Sequence, residues 1–400
     1  MSPRTRFFVV LLCTIPGSVF AYSLLAEHRA YFWDGTVYRC AIEASLATGT
    51  PYRFIGDCAG YFLPHTYPYG GTQLLARIAS ILGRLTVTYG YALAYASGVL
   101  LFAHVIYRLG GSLWVLLLVL LAPGAGVFVS ELVSGNVAIP FYGLLLWLIC
   151  RDAPNFGRIA ALGAAMAPFK PLYSAYLIIP FLLRRDVRIP AVGAGLVAAW
   201  YAGDVLLFPA HFAEWLGVAV HHANEVPGFG FTMLIRKGGL ELGGKASIAA
   251  AYLVWAGVIG ALTLRAVARS PTPLIQALAA IAGTALLLPR LKEYDCLILI
   301  PLALAVWPAV SARERREWGL LVGGFAAGLP ATIWWLRKLP LLWSDSADLW
   351  RAFVDMRWLV QNQGGFLFAA LLAALVWLAA RPRACRVAEA DAAQPATADR

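Results

Sequence analysis

The chain has 400 residues, 60% of them apolar and only 13% charged, with a mean hydropathy of +0.71 and a net charge of +11. A soluble domain carries roughly a quarter charged residues, so a water-soluble globule is excluded; apolar runs near the 20 residues that a bilayer core requires recur along the chain. The basic residues sit between these runs, where loop orientation and anionic headgroups account for them, so nucleic acid is not an expected partner.

Backbone polar groups in lipid must be satisfied within the protein, and continuous rather than alternating apolar runs select helices. The expected fold is therefore an all-α polytopic membrane protein. Arg4 and Arg6 precede a first run at 7–25, which opens like a signal peptide but lacks an A-x-A cleavage site and reads as a retained span. With the N-terminus inside, further spans fall at 87–107, 112–130, 133–150, 159–169, 172–183, 189–208, 247–264, 274–288, 296–310, 319–335 and 365–380. Each short inner connection then bears arginine: Arg108; Arg151 and Arg158; Arg184, Arg185 and Arg188; Arg265 and Arg269; Arg313, Arg315 and Arg316. The stretch 159–183 is too short for two full spans and is broken at Pro168-Phe169-Lys170-Pro171. A single kinked span would put the later arginine clusters outside. A hairpin is expected instead, as two short helices or a re-entrant pair, giving ten or twelve crossings. Residues 1–386 read as one domain, and 387–400, small and polar, as a disordered tail.

Four segments fall on the outer side: 26–86, 209–246, 289–295 and 336–364. In the first, Tyr38, Ile42 and Leu46 share a helical face, and Leu74, Ile78, Leu82 and Leu85 form a second apolar stripe. Both predict helices lying in the interface plane. Between them, Tyr61, Pro64, Tyr67, Pro68 and Tyr69 make a stiff aromatic stretch suited to headgroup level. Cys40 and Cys58 share this loop, where a disulfide and two free thiols are equally open. There is no CxxC or Cys/His cluster, so no metal site is expected, nor any cofactor.

Asp34, in Tyr31-Phe32-Trp33-Asp34-Gly35, has two readings: a helix N-cap, or a general base facing a substrate at the membrane surface. The run Asp34-Gly35-x-x-Tyr38, then Gly49-x-Pro51-Tyr52 and Tyr67-Pro68, resembles the first outer loop of glycosyltransferase family 87. Further pieces follow in that family's order: Gly135-Asn136, Phe169-Lys170-Pro171, Asn224-Glu225 with Pro227-Gly228-Phe229, and Leu288-Pro289 with Tyr294. The resemblance spans roughly 30–300. It implies a GT-C-like bundle of about 10–12 transmembrane helices, similar to polyprenol-phosphate-mannose-dependent mannosyltransferases, with Asp34 as catalytic base. The partners it implies are a polyprenyl-phosphate-linked sugar, a glycan or glycolipid acceptor and membrane lipid, at the outer face of a bacterial plasma membrane. Many members carry a histidine in the late outer loop, where this chain reads Arg290-Leu291-Lys292-Glu293-Tyr294-Asp295.

A leaving phosphate needs cations. Lys170, Arg290 and Lys292 are candidates, against snorkelling for Lys170 and ordinary loop charge for the other two. Tyr38, Tyr294, Asn224 and Glu225 are candidate substrate contacts, the last two equally readable as a plain polar loop. His221 and His222 point about 100° apart on a helix and read as interface residues rather than a metal pair. Asp204, near a span end, reads as a paired or interfacial carboxylate. Rival functions are a secondary transporter, which would gather polar groups near the midplane, and a lipid-linked polysaccharide polymerase or ligase.

Overall fold

The computed structural model describes residues 33–53, 58, 65–116, 134–151, 155–225, 228–237, 245–344, 348–355 and 357–382. The expected first span, most of 112–130, Tyr61, Pro64 and the tail lie outside these residues. Among the described residues the regular structure is helical, with one isolated bridge pairing Phe229 and Leu291. Five helical runs are long and apolar enough to cross a membrane: Arg84–Gly110, Arg188–Leu207, Ala246–Arg269, Ala312–Trp343 and Asn362–Ala380. Four further apolar helices are shorter.

The first loop supplies α1 (Trp33–Thr48) and α2 (Tyr69–Leu82), which pack on one another. Ala76 and Ala79 of α2 are buried toward Ile42, whereas Leu74, Ile78 and Leu82 stay exposed. Small residues thus serve the protein contact and the long apolar stripe faces outward, as an interfacial helix requires. Gly83, at φ 88°, turns the chain into α3 (Arg84–Gly110). α3 lies along α4 (Ala138–Ile149), where a Cβ on Gly98 would stand 2.1 Å from Pro140 Cα. Only glycine permits that approach, a small-residue contact of the kind helices use in lipid.

The stretch 159–183 is two short pieces. α5 (Phe156–Ala165) is capped by the Asn155 side chain accepting from Arg158 N–H at 3.0 Å, and it ends at the turn 166–170. The 3₁₀ helix Pro171–Ile178 then packs against α5 and continues as α6 (Ile179–Arg184). Ten residues of α-helix reach about 15 Å, half of a ~30 Å hydrocarbon core. The proline that breaks the run opens the second piece, where its missing N–H is harmless.

α7 (Arg188–Leu207) leads to α8 (Pro209–Glu225), the short α9 (Phe231–Lys237) and α10 (Lys245–Arg269). α11 (Pro273–Leu287) is apolar on every side, with Ile275, Leu278, Ile281 and Leu286 all buried, so it is the central helix. The 3₁₀ helix Glu293–Ile298 runs into α12 (Leu299–Val306). α13 (Ala312–Gly323), a π turn at Gly324–Gly328 and α14 (Leu329–Lys338) form one run, and α15 (Leu349–Val354) precedes α16 (Arg357–Ala380). At the arginine-bearing end, Arg265 donates to Ala379 O at 2.8 Å and Arg381 pairs with Glu314 at 2.8 Å, tying α10, α13 and α16. Leu93, Leu100, Leu253 and Leu320 point outward and exposed, which in water would be a liability and in lipid is the expected surface.

Cys40 and Cys58 are joined by a disulfide, which settles the pairing left open by sequence. Beside it the aromatic stretch packs inward: Tyr67 stacks on Tyr38 at 4.6 Å and Tyr69 on His211 at 4.2 Å. These two rings form part of an aromatic layer that packs against α1 and α8. The layer encloses His65, whose Nε2 meets Thr72 Oγ1 at 2.7 Å.

Two predictions test this loop. Cys40→Ser, which opens a link across 18 residues, should cost about 3 kcal/mol, read as a lowered melting temperature matched by reductant on the wild type. Burial holds the His65 imidazole down at about 3 against its ordinary 6.5. The unfolded chain therefore takes up a proton first, and the contribution of neutral His65 is complete above 6.5 and lost as pH falls toward about 3. Melting temperature should fall across that window, and His65→Gln should flatten the slope.

Candidate active site

Asp34 lies in the first turn of α1, where a negative charge is favoured by the helix N-terminus. Its Oδ2 accepts from Asn136 Nδ2 at 2.8 Å, across 102 residues of sequence. The side chain is thus engaged across the fold, which an N-cap reading does not anticipate. Asn136 stands in the turn before α4, which needs Gly135 at φ 70°. That turn is anchored by the Tyr91 hydroxyl donating to Gly135 O and by Asn136 N–H donating to Ser134 Oγ at 3.1 Å.

The hairpin tip brings in Lys170. Its backbone N–H donates to Met166 O at 2.7 Å, closing the turn, while its Nζ donates to Asn136 Oδ1 at 3.1 Å. The same ammonium sits over two rings, 4.5 Å from the Tyr173 centroid and 4.0 Å from that of Tyr294. One amide therefore joins the carboxylate of Asp34 to the ammonium of Lys170.

The late loop closes the arrangement. Asp295 is 2% exposed. Its Oδ1 accepts from Tyr173 OH at 2.7 Å and Tyr142 OH at 3.0 Å, and its Oδ2 from Lys292 N–H at 2.8 Å. Tyr142 and Tyr176 hydroxyls meet at 2.6 Å. Tyr173 and Tyr176 point into this cluster because i and i+3 eclipse on a 3₁₀ helix. Asp295 thus folds the 292–295 loop and places Tyr294 against Lys170. Behind it, Phe229 and Leu291 exchange backbone hydrogen bonds of 2.6 and 3.0 Å. The Phe229 ring lies where Gly364 of α16 has no side chain.

The Asp34 carboxyl is raised from its ordinary range by burial, and pulled back by the Asn136 hydrogen bond and the charges of Lys170 and Lys292, with Glu293 opposing. A carboxylate so placed has a heightened proton affinity while remaining ionisable, the property a general base needs. Beside it a groove of about 510 Å³ runs between α1, α2 and α3. Gly35, Tyr38, Ile42, Ile78, Val87 and Arg39 are in its walls.

Of the candidates named from sequence, the fold gathers Asp34, Lys170, Lys292 and Tyr294 at one place. Tyr38 is buried in the aromatic layer and lines the groove. Arg290 adjoins Gly228 beside the Phe229–Leu291 bridge. Asn224 and Glu225 end α8, with side chains outside the described residues. Asp204 is buried and accepts from Gly70 N–H at 3.4 Å. Among the described residues no group of three or more His, Cys, Asp or Glu is placed to hold a metal ion. Sequence reasoning named Asn136 only within a family-like dipeptide and passed over Asp295, Tyr142 and Tyr173. Comparison with known protein families, characterised proteins and solved structures found no match to this chain.

Proposed function

We propose that the protein is an inverting membrane glycosyltransferase that moves a hexose, mannose by resemblance, from a polyprenyl-phosphate donor to a hydroxyl acceptor. The observation that carries the reading is the juxtaposition at Asp34. A half-buried carboxylate, oriented by Asn136 and flanked by two lysines, opens beside an apolar groove on helices suited to a membrane. A transfer from a lipid phosphate needs these three things together: a base, a cationic seat for the leaving phosphate and an apolar path for its chain.

Asp34 takes the proton of the acceptor hydroxyl as that oxygen attacks the anomeric carbon. The bond from the anomeric carbon to the phosphate oxygen breaks on the opposite side, and the phosphate leaves as an anion toward Lys170, Lys292 and Arg290. The leaving group is stable without protonation, so one carboxylate suffices where glycoside hydrolysis takes two. The prenyl chain lies in the groove between α1, α2 and α3. The Cys40–Cys58 disulfide favours placing this loop on the outer, oxidising side of a cell membrane. The whole chain is then a GT-C-like bundle of ten to twelve crossings.

Two measurements test the proposal. Purified protein incubated with a panel of polyprenyl-phosphate hexoses should release polyprenyl phosphate from one of them, and silence across the panel counts against transfer. Asp34→Asn should fold and lose on the order of 10²–10⁴ in rate; near-wild-type turnover removes Asp34 from the chemistry. The acid limb of the wild-type profile should lie above the ordinary carboxylate range, because the base must be ionised and burial raises its pKa.

A further inference from the structure

The polarity of the Asn136 amide is fixed by its neighbours. Two donors, Ala138 N–H at 2.9 Å and Lys170 Nζ at 3.1 Å, converge on one end of the group, which must therefore be the oxygen. The nitrogen is then the end that meets Asp34 Oδ2, so Asn136 can only donate there. A carboxylate oxygen that accepts such a bond is turned toward it, and the second oxygen is left to face another direction.

We infer that Asn136 is a positioning residue: it commits Oδ2 of Asp34 to an amide N–H, leaves Oδ1 to take the acceptor's proton, and holds Lys170 in register with that base. The geometry stands by itself; its catalytic consequence rests on the transferase reading. Asparagine is required for a chemical reason, since Asp34 needs a donor and Lys170 an acceptor from a single short side chain. Serine supplies one atom for both tasks, and leucine neither.

A purely structural role is separable from this one. Asn136 Oδ1 also accepts from Ala138 N–H and so steadies the start of α4. Aspartate serves equally well at such a position. Asn136→Asp therefore keeps the turn and the Lys170 contact but sets an acceptor against Asp34 Oδ2, so the two carboxyls must share a proton. The other groups bearing on Asp34 stay in place: Lys170 from the hairpin, Lys292 and Glu293 from the late loop, Tyr38 from α1 and Tyr91 from α3.

The test is an infrared difference titration of the full chain in detergent, with the Asp34 carboxyl band assigned by its loss in Asp34→Asn. In Asn136→Asp the Asp34 titration should move upward by about one unit or more, with the helical content unchanged. The acid limb of kcat/KM for polyprenyl-phosphate mannose should move with it. Asn136→Ala removes the donor without adding charge, and should shift the titration in the same direction by less and slow turnover about tenfold. An unshifted Asp34 titration in both variants overturns the inference. A shifted titration in a protein that releases polyprenyl phosphate from no donor supports the positioning of Asp34 by Asn136 and overturns the transferase reading alone. Wild-type turnover in Asp34→Asn overturns the inference that Asp34 is positioned as a base.

Discussion

An ammonium at the tip of an apolar hairpin is expensive unless its charge is met on several sides. Lys170 is met by one amide oxygen, two tyrosine faces and, a layer further in, the carboxylate of Asp295. These come from three parts of the chain: the turn before α4, the 3₁₀ helix after the hairpin tip, and the late loop. Satisfying one cation therefore fixes the relative positions of three loops, and Asn136 extends the arrangement to a fourth, the start of α1. Asp34 is held where it is because Lys170 needed an acceptor and the residue supplying it carries a donor on its other end.

The surrounding bundle makes that arrangement stiff. α11, buried all round, backs the late loop, and α16 offers Gly364 so that the Phe229 ring can lie against bare backbone and tie Leu291 in place. The first loop is braced separately, by the disulfide and by the aromatic layer around His65. Two independent braces thus converge on Asp34, one from the membrane-crossing helices and one from the loop itself. Helices alone could not do this, because the carboxylate sits in the first turn of α1 and the bond that orients it comes from 102 residues away.

Periodicity and charge placement made the long elements legible. The runs expected at 87–107, 189–208, 247–264 and 365–380 lie within α3, nearly all of α7, α10 and α16, and the arginine argument for a hairpin at 159–183 agrees with the two short pieces found there. Lys170 was legible too, because a lysine beside proline in an apolar stretch advertises its cost. Cross-fold partnerships were not. Asp295 accepts from tyrosines 122 and 153 residues away, and nothing local distinguishes it from an ordinary loop carboxylate. Asn136 reads as a turn residue after Gly135, since its two functions exist only once Asp34 and Lys170 arrive. The stacking partners of Tyr67 and Tyr69 were not legible, because amphipathic rings at a membrane surface and rings packed under a loop have the same composition.

The charges around Asp34 also link the base to its substrate in the proposed reaction. Lys170 and Lys292 lower the proton affinity of Asp34, partly offsetting what burial raises. A phosphate seated against those lysines draws the same positive field to itself and adds negative charge nearby, so the proton affinity of Asp34 rises. The base is then strongest when the leaving group is already in place, and weaker when the site is empty. Between turnovers the lysines hold down the proton affinity of this half-buried carboxylate, and that effect is withdrawn when a donor takes them over. The amide of Asn136 lies between the two partners of this exchange, bonded to both, and so keeps the distance over which it acts constant.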